Sequence, residues 1–258
     1  MAIQRQVITR ANLKYFASLR HRKYRKSERL TLVEGRKPIL EWLRSGISTG
    51  EVWITPQARE LETEEDILQI AGAISPQDLQ RISTLDSPEG YLAVISIPEY
   101  LPPLPDDAAL CLVEVQDPGN LGTILRIADW FSIPQVWIND ACADPWSPKV
   151  IRASMGSVFH TRICLLEDPI EFLKPLAERI IPTHLQGKPL QDFTWPPHPI
   201  LLLGNEGNGL PQNWINLNPE AGVMIPGFGN AESLNIAVAA GILAWEAFGA
   251  KAPTMPNK

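Results

Sequence analysis

From residue 110 onward the chain alternates short apolar runs with amphipathic stretches. LCLVEVQ (110–116), QVWIN (135–139), TRICLL (161–166) and PILLLG (199–204) are near-continuous apolar blocks, the pattern of strands buried on both faces. Between them, NLGTILRIADWF (120–131), PKVIRASMGSVF (148–159) and IEFLKPLAERI (170–180) read as helices, and VMIP (223–226) leads into a closing helix. Such alternation predicts an α/β fold with a mostly parallel sheet covered on both faces. Its ligands belong in loops beyond the strands' C-terminal ends, and every glycine-rich polar cluster of this region falls in such a loop.

The first hundred residues differ in texture. LVEGRKPILEWLRSG predicts a strand, a Glu34-Gly35 turn and a helix with Ile39, Leu40 and Leu43 on one face. EVWIT (51–55) and YLAVISI (91–97) are further strands, with helical patterns at 64–72 and 76–81 between them. The proline- and acid-rich LPPLPDDA (101–108) reads as a linker. The expected domains are therefore 1–100, a small α/β unit with a basic N-terminal arm, and 109–258, the larger α/β unit.

Composition narrows the setting. At 258 residues, 45% hydrophobic and 20% charged, the chain is globular. No run approaches the length of a membrane span, and the first residues lack an apolar core followed by a small-residue cleavage site, so no signal peptide is expected. Three widely spaced cysteines, Cys111, Cys142 and Cys164, point to a reducing cytoplasm rather than a disulfide framework. The four histidines show no metal-ligand spacing, so no metal is expected. The net charge of −6 hides an asymmetry: residues 1–30 carry nine Lys or Arg against Glu28 alone, which is +8 and leaves −14 for the remainder. A basic arm on an acidic body still presents a local phosphate-binding field.

Four clusters carry candidate chemistry. In DPGNLGTILRIAD, Asn120 stands where a helix cap belongs, and Arg126 lies in an otherwise apolar helix where burial would demand an anionic or carbonyl partner. PKVIRASMGSVFH places Lys149 and Arg152 beside Ser154 and Gly156. LLLGNEGNGL spaces its glycines at 204, 207 and 209, which fits neither the dinucleotide fingerprint nor a Walker loop. It is instead a loop whose amides can wrap a small molecule. IPGFGNAESLNIAVAAGILAWE runs a glycine loop into a helix apolar on nearly all sides, read as buried, with Asn230 as its cap and Asn235 as a buried amide that needs a polar partner.

In this order the clusters resemble the SpoU (TrmH-type) branch of the SPOUT RNA methyltransferases. The matching residues are Asn120 through Ala128, Leu203-Gly204-Asn205-Glu206-Gly207-Asn208-Gly209-Leu210, and Ile225-Pro226 through Gly229 with Glu232-Ser233-Leu234-Asn235. Arg152-Ala-Ser154-Met-Gly156 fits between them. LVEGRKPILEWL and SPEGYLAVISI are similar to the L30e-type substrate-binding domain that precedes many of these enzymes. The chain departs from the pattern at Gly227, where methionine is common, at Ser132, where glycine is frequent, and at Ala237, where serine is frequent.

The resemblance implies a trefoil-knotted catalytic domain, which no pattern argument would propose. It also implies a homodimer, and transfer of a methyl group from S-adenosylmethionine to a ribose 2′-hydroxyl of a structured RNA, ribosomal in preference to transfer RNA. Leu203, Gly204, Asn205, Gly207, Gly209, Ile225, Pro226, Gly229, Ser233 and Leu234 would hold the cofactor. Arg126 would be the central catalytic group, with Asn120, Glu206, Ser233 and Asn235 around it. A guanidinium keeps its proton, with a pKa above about 12, so Arg126 is read as a clamp that lowers the hydroxyl pKa and orients the adjacent phosphate. Arg20, Arg22, Lys23, Arg25, Lys26, Arg152 and Ser154 are the expected RNA contacts. A non-catalytic RNA-binding protein of the same fold would show damage at Arg126, Glu206 or Asn235, and all three are intact.

Overall fold

The computed structural model describes residues 8–205 and 207–249. The described residues form two compact units, one from 8–99 with 144–160, the other from 100–143 with 161–249.

In the first unit, α1 (Arg10–Ser18) and α2 (Arg22–Glu28) precede β1 (Leu30–Glu34), α3 (Arg36–Ser45), β2 (Gly50–Ile54), α4 (Pro56–Leu61), α5 (Glu65–Ile70), β3 (Gly72–Ala73), α6 (Pro76–Ile82) and β4 (Tyr91–Ser96). The sheet order is β1-β4-β2-β3, with β4 antiparallel to both β1 and β2. Phe16, Leu19, Leu32, Trp53, Leu79, Ile82 and Leu92 form its core.

The second unit contains β5 (Ala109–Leu112), α7 (Pro118–Trp130) and β6 (Val136–Ile138); α8 (Pro148–Ala153) then follows in the first unit. The second unit resumes with β7 (Ile163–Leu165), α9 (Pro169–Leu173), β8 (Ile180–Pro189), β9 (Ile200–Leu203), α10 (Gln212–Ile215), β10 (Val223–Met224) and α11 (Ile236–Phe248). Its six strands run β10-β8-β9-β5-β6-β7 and every pairing is parallel. The apolar blocks of β5, β6 and β9 are buried throughout, as strands covered on both faces must be.

Local chemistry fixes where the helices begin. Five start with a capping side chain followed by proline: Thr55-Pro56, Ser75-Pro76, Asp117-Pro118, Ser147-Pro148 and Asp168-Pro169. In each, the cap oxygen accepts a backbone N–H of the first turn, while proline occupies a position whose missing N–H costs nothing. The expected helix over 64–72 is shorter, because Gly72 and Ala73 are drawn into β3 beside β2.

Candidate active site

Three segments leave the C-terminal ends of the parallel strands: the turn from β5 into α7, the 204–210 loop after β9, and the 225–235 loop after β10. Asp117 caps α7, its Oδ1 accepting from the N–H of Asn120 at 2.9 Å. Asn120, expected as the cap, therefore stands inside the first turn. Asn235, not Asn230, caps α11: its Oδ1 accepts from the N–H of Ala237 at 2.9 Å and of Val238 at 3.3 Å. The opposite end of the same amide donates from Nδ2 to Asn120 Oδ1 at 2.9 Å. One side chain thus starts the last helix and ties it to the first motif, 115 residues earlier. The expected buried amide is in fact exposed.

The 204–210 loop is closed on itself. Asn205 and Gly209 exchange backbone hydrogen bonds at 3.0 and 2.9 Å, and Gly209 takes the left-handed φ of +66° that this turn demands. Asn205 Oδ1 accepts from the N–H of Gly207 at 2.8 Å, and its Nδ2 donates to the Glu114 carbonyl at 2.9 Å. The loop is thereby pinned to the end of β5. A Cβ on Gly204 would lie 2.4 Å from the backbone of Gly209 and Leu210, so that glycine is required by the fold alone. Glu206 lies outside the described residues.

The 225–235 loop is different. A Cβ on Gly227 or Gly229 would meet nothing within 4 Å. Phe228 is 97% exposed, and Leu234, Ser233 and Glu232 are exposed as well. Two glycines with open space over them are thus flanked by uncovered apolar side chains. Leu203, at the end of β9, is buried. Leu185, on β8, is also exposed; it was not anticipated from sequence, because PTHLQG has neither strand-like alternation nor a charged group.

Arg126 is exposed on α7, on the face it shares with Thr123 and Trp130, and makes no hydrogen bond or ion pair to a described residue. Arg126 reaches the surface because Leu121, Leu125 and Ala128 supply the buried face of this helix. The closing helix is likewise not buried all round. Val238 (52% exposed), Ile242 and Trp245 (62%) form an uncovered stripe beside Leu234, and Trp245 meets Phe131 edge-on with ring centroids 6.2 Å apart. The departures noted in the motifs also find physical reasons. Ser132 holds a left-handed φ of +51°, the conformation glycine accepts most readily, and the space over Gly227 has room for a longer side chain.

Two expected RNA contacts are spent internally. Arg25 is 4% exposed, and Ser154 is fully buried with its hydroxyl donating to the Ile151 carbonyl. Arg20 is exposed, but its guanidinium donates to the carbonyls of Arg81 and Ile82. Arg22, Lys23 and Lys26 are exposed along α2, and Arg152 is half-buried with Nη1 3.5 Å from Thr84 Oγ1. Arg152 and Ser154 belong to the first unit; Asn120, Arg126, Asn205, Ser233 and Asn235 belong to the second. Among the described residues no cluster of His, Cys, Asp and Glu could hold a metal, and no helix is long and apolar enough to cross a membrane.

A parallel α/β unit with glycine loops and exposed Asn and Arg side chains near its strand ends, in one chain with a smaller mixed-sheet unit, is the architecture of a two-unit RNA methyltransferase of the SPOUT class. Residues 107–245 match the SpoU rRNA Methylase family and residues 10–93 the MRM3-like substrate binding domain; the chain belongs to the SpoU family. It is 30% identical to the 23S rRNA (guanosine(2553)-2′-O)-methyltransferase RlmP of Bacillus subtilis, over 90% of this chain and 94% of that protein. An uncharacterized tRNA/rRNA methyltransferase of Synechocystis is 34% identical over 67% of this chain and 65% of its own length. The AdoMet-bound rRNA methyltransferase of Sinorhizobium meliloti superposes with a TM-score of 0.81 at 28% identity, covering 96% of this chain and 98% of that one.

Proposed function

We propose that this protein transfers the methyl group of S-adenosylmethionine to a ribose 2′-hydroxyl of ribosomal RNA. The observation that carries the reading is the Asn235–Asn120 hydrogen bond, which joins the open 225–235 loop to the helix bearing Arg126. The residues fit the cofactor: Gly227 and Gly229 leave open space, Phe228, Leu234 and Leu185 supply apolar cover, and the loop backbones supply amides and carbonyls. Asn205, Gly207 and Gly209 shape one wall; Ile225, Pro226 and Ser233 belong to the other. The cofactor supplies an electrophilic methyl sulfonium, so the protein's task is to make a weak nucleophile ready.

Holding the 2′-hydroxyl in line with the methyl group provides much of that effect. Arg126 would donate to the ribose oxygen and the adjacent phosphate, favouring the alkoxide as its O–H proton departs to solvent, and the bound cofactor would supply the methyl carbon, whose bond to sulfur breaks as its bond to oxygen forms. Asn120 and Asn235 keep the two supporting segments in register, and Ser233 completes the polar lining among the described residues. Arg22, Lys23, Lys26 and Arg152 hold the phosphate backbone.

The working form is a homodimer. Val238, Ile242, Trp245 and Trp130 make an uncovered apolar face on α11 and α7, and a second copy covering it would also desolvate Arg126 and strengthen its field. Val238→Glu is expected to yield monomers by light scattering; an unchanged dimer would remove this face from the interface. The same reading places the trefoil knot of the family in the segment from β9 to α11 and the enzyme in the cytoplasm.

The deciding experiment offers labelled S-adenosylmethionine with ribosomal and transfer RNA fractions. Label in the ribosomal fraction supports the reading; label in transfer RNA alone replaces the substrate, and label in neither leaves a binding protein.

A further inference from the structure

Arg25 was expected among the RNA contacts, but its guanidinium is wholly engaged inside the first unit. Nε and Nη2 donate to one oxygen of Asp144, at 3.0 and 2.7 Å, and Nη1 donates to the carbonyls of Leu19 and Arg20, at 3.0 and 2.9 Å. Asp144 lies 119 residues away, at the point where the chain leaves the methyltransferase unit. From there to His160 it packs with the substrate-binding unit, although this segment lies within the SpoU family match. Further bonds follow the same path. The other Asp144 oxygen accepts from the N–H of Trp146 at 3.0 Å, and Thr31 Oγ1 donates to the Trp146 carbonyl at 2.6 Å. His160 Nε2 lies 3.0 Å from Glu41. A Cβ on Gly156, which takes a φ of +92°, would collide with the Glu41 side chain at 2.6 Å. The segment presents Lys149, which is exposed, and Arg152, next to Thr84.

We propose that Arg25 is a positioning residue: its fork on Asp144 locks the Asp144–His160 segment onto the substrate-binding unit, so that Lys149 and Arg152 form part of that unit's RNA-binding surface. A buried fork that satisfies the carboxylate and two backbone carbonyls at once holds a chain crossing in one geometry, which a lysine in its place could not do. This role rests on the methyltransferase reading for its substrate, but the lock itself does not.

The test compares Arg25→Ala, Arg25→Lys and Asp144→Asn with the wild-type full chain. Each variant is assayed for methyl transfer to ribosomal RNA, cofactor binding, and hydrogen exchange over residues 144–160. The lock predicts that all three variants raise KM for RNA by about fivefold or more, as expected when two phosphate contacts lose their place. It predicts kcat and cofactor affinity within about twofold of wild type, and faster exchange confined to the segment and α2. Asp144→Asn is decisive, because it removes an acid and, if Arg25 touched phosphate, would free that arginine and tighten RNA binding. Tighter or unchanged RNA binding in Asp144→Asn, or unchanged exchange in Arg25→Ala, would overturn the proposal. Should the wild type methylate no RNA, the functional reading fails, while exchange still decides the lock.

Discussion

Charged side chains in the interior of the first unit and at the candidate site of the second are disposed in opposite ways. In the substrate-binding unit several charges are committed internally. Arg25 closes on Asp144, Arg36 makes a fork with Glu62, and the buried Glu34 carboxylate accepts from Ser83 and from both the backbone and hydroxyl of Thr84. In the methyltransferase unit, Arg126, Ser233 and Glu232 stand exposed with no described partner, while Asn235 reaches across to Asn120. Committed charges hold shape, whereas exposed and uncommitted ones are available to a substrate. A charged residue's role is therefore read from what it touches more than from what it is.

The comparison breaks first at Arg126. Arg126→Ala should lower transfer by about 100-fold or more while cofactor affinity stays intact, since the group acts on charge that develops only in the reaction. Equal losses in cofactor binding would make it a structural residue like Arg25. A smaller effect is expected at Asn235, which is both cap and clasp. Asn235→Ala should cost about 1 kcal/mol in stability by denaturant titration, with transfer falling further than that alone explains. Asn235→Asp keeps the cap oxygen but loses the donor to Asn120, so it should retain stability and still lose activity.

On the exposed side of the first unit, replacing Arg22, Lys23 and Lys26 together by Ala should weaken RNA binding, flattening its dependence on log salt by about 0.9 per lost phosphate contact. Tm and cofactor binding should not move. The smallest effect is the pH response of Glu62. Burial by itself would raise this carboxyl, but the Arg36 fork and the N–H groups of Glu64 and Thr63 prevail and hold it at about 2. Because its folded-state pKa is depressed, the stability it contributes is present above the ordinary carboxylate range and is lost as pH falls toward 2. Glu62→Gln should therefore reduce stability at pH 7 while making the remaining stability less sensitive to acid, as a pH series of Tm values would record.

The architecture was legible wherever a feature is local. Apolar runs marked β5, β6 and β9, and the glycine loops fell where strands end. The cap of α11 was misassigned to Asn230, although Asn235 immediately precedes the apolar run that begins at Ile236, a stronger sign than the glycine-flanked Asn230. Likewise Asp117-Pro118 carries the cap-and-proline pattern that displaces Asn120. What could not be read were pairings made across the chain. Nothing near Arg25 in sequence announces Asp144, and nothing in RASMG shows that this stretch packs with the first unit rather than the second. The exposure of Arg126 and of the Val238–Trp245 stripe was hidden for a related reason. Helical spacing tells which residues share a face, but not whether that face is covered.

The linkage of the transferred methyl tests the central claim most directly. Ribosomal RNA labelled by the wild-type enzyme is hydrolysed with alkali, which cleaves beside every free 2′-hydroxyl. The account predicts that the label survives in an alkali-resistant dinucleotide and yields a single 2′-O-methyl nucleoside on digestion. Label released as mononucleotides bearing a methylated base would contradict it.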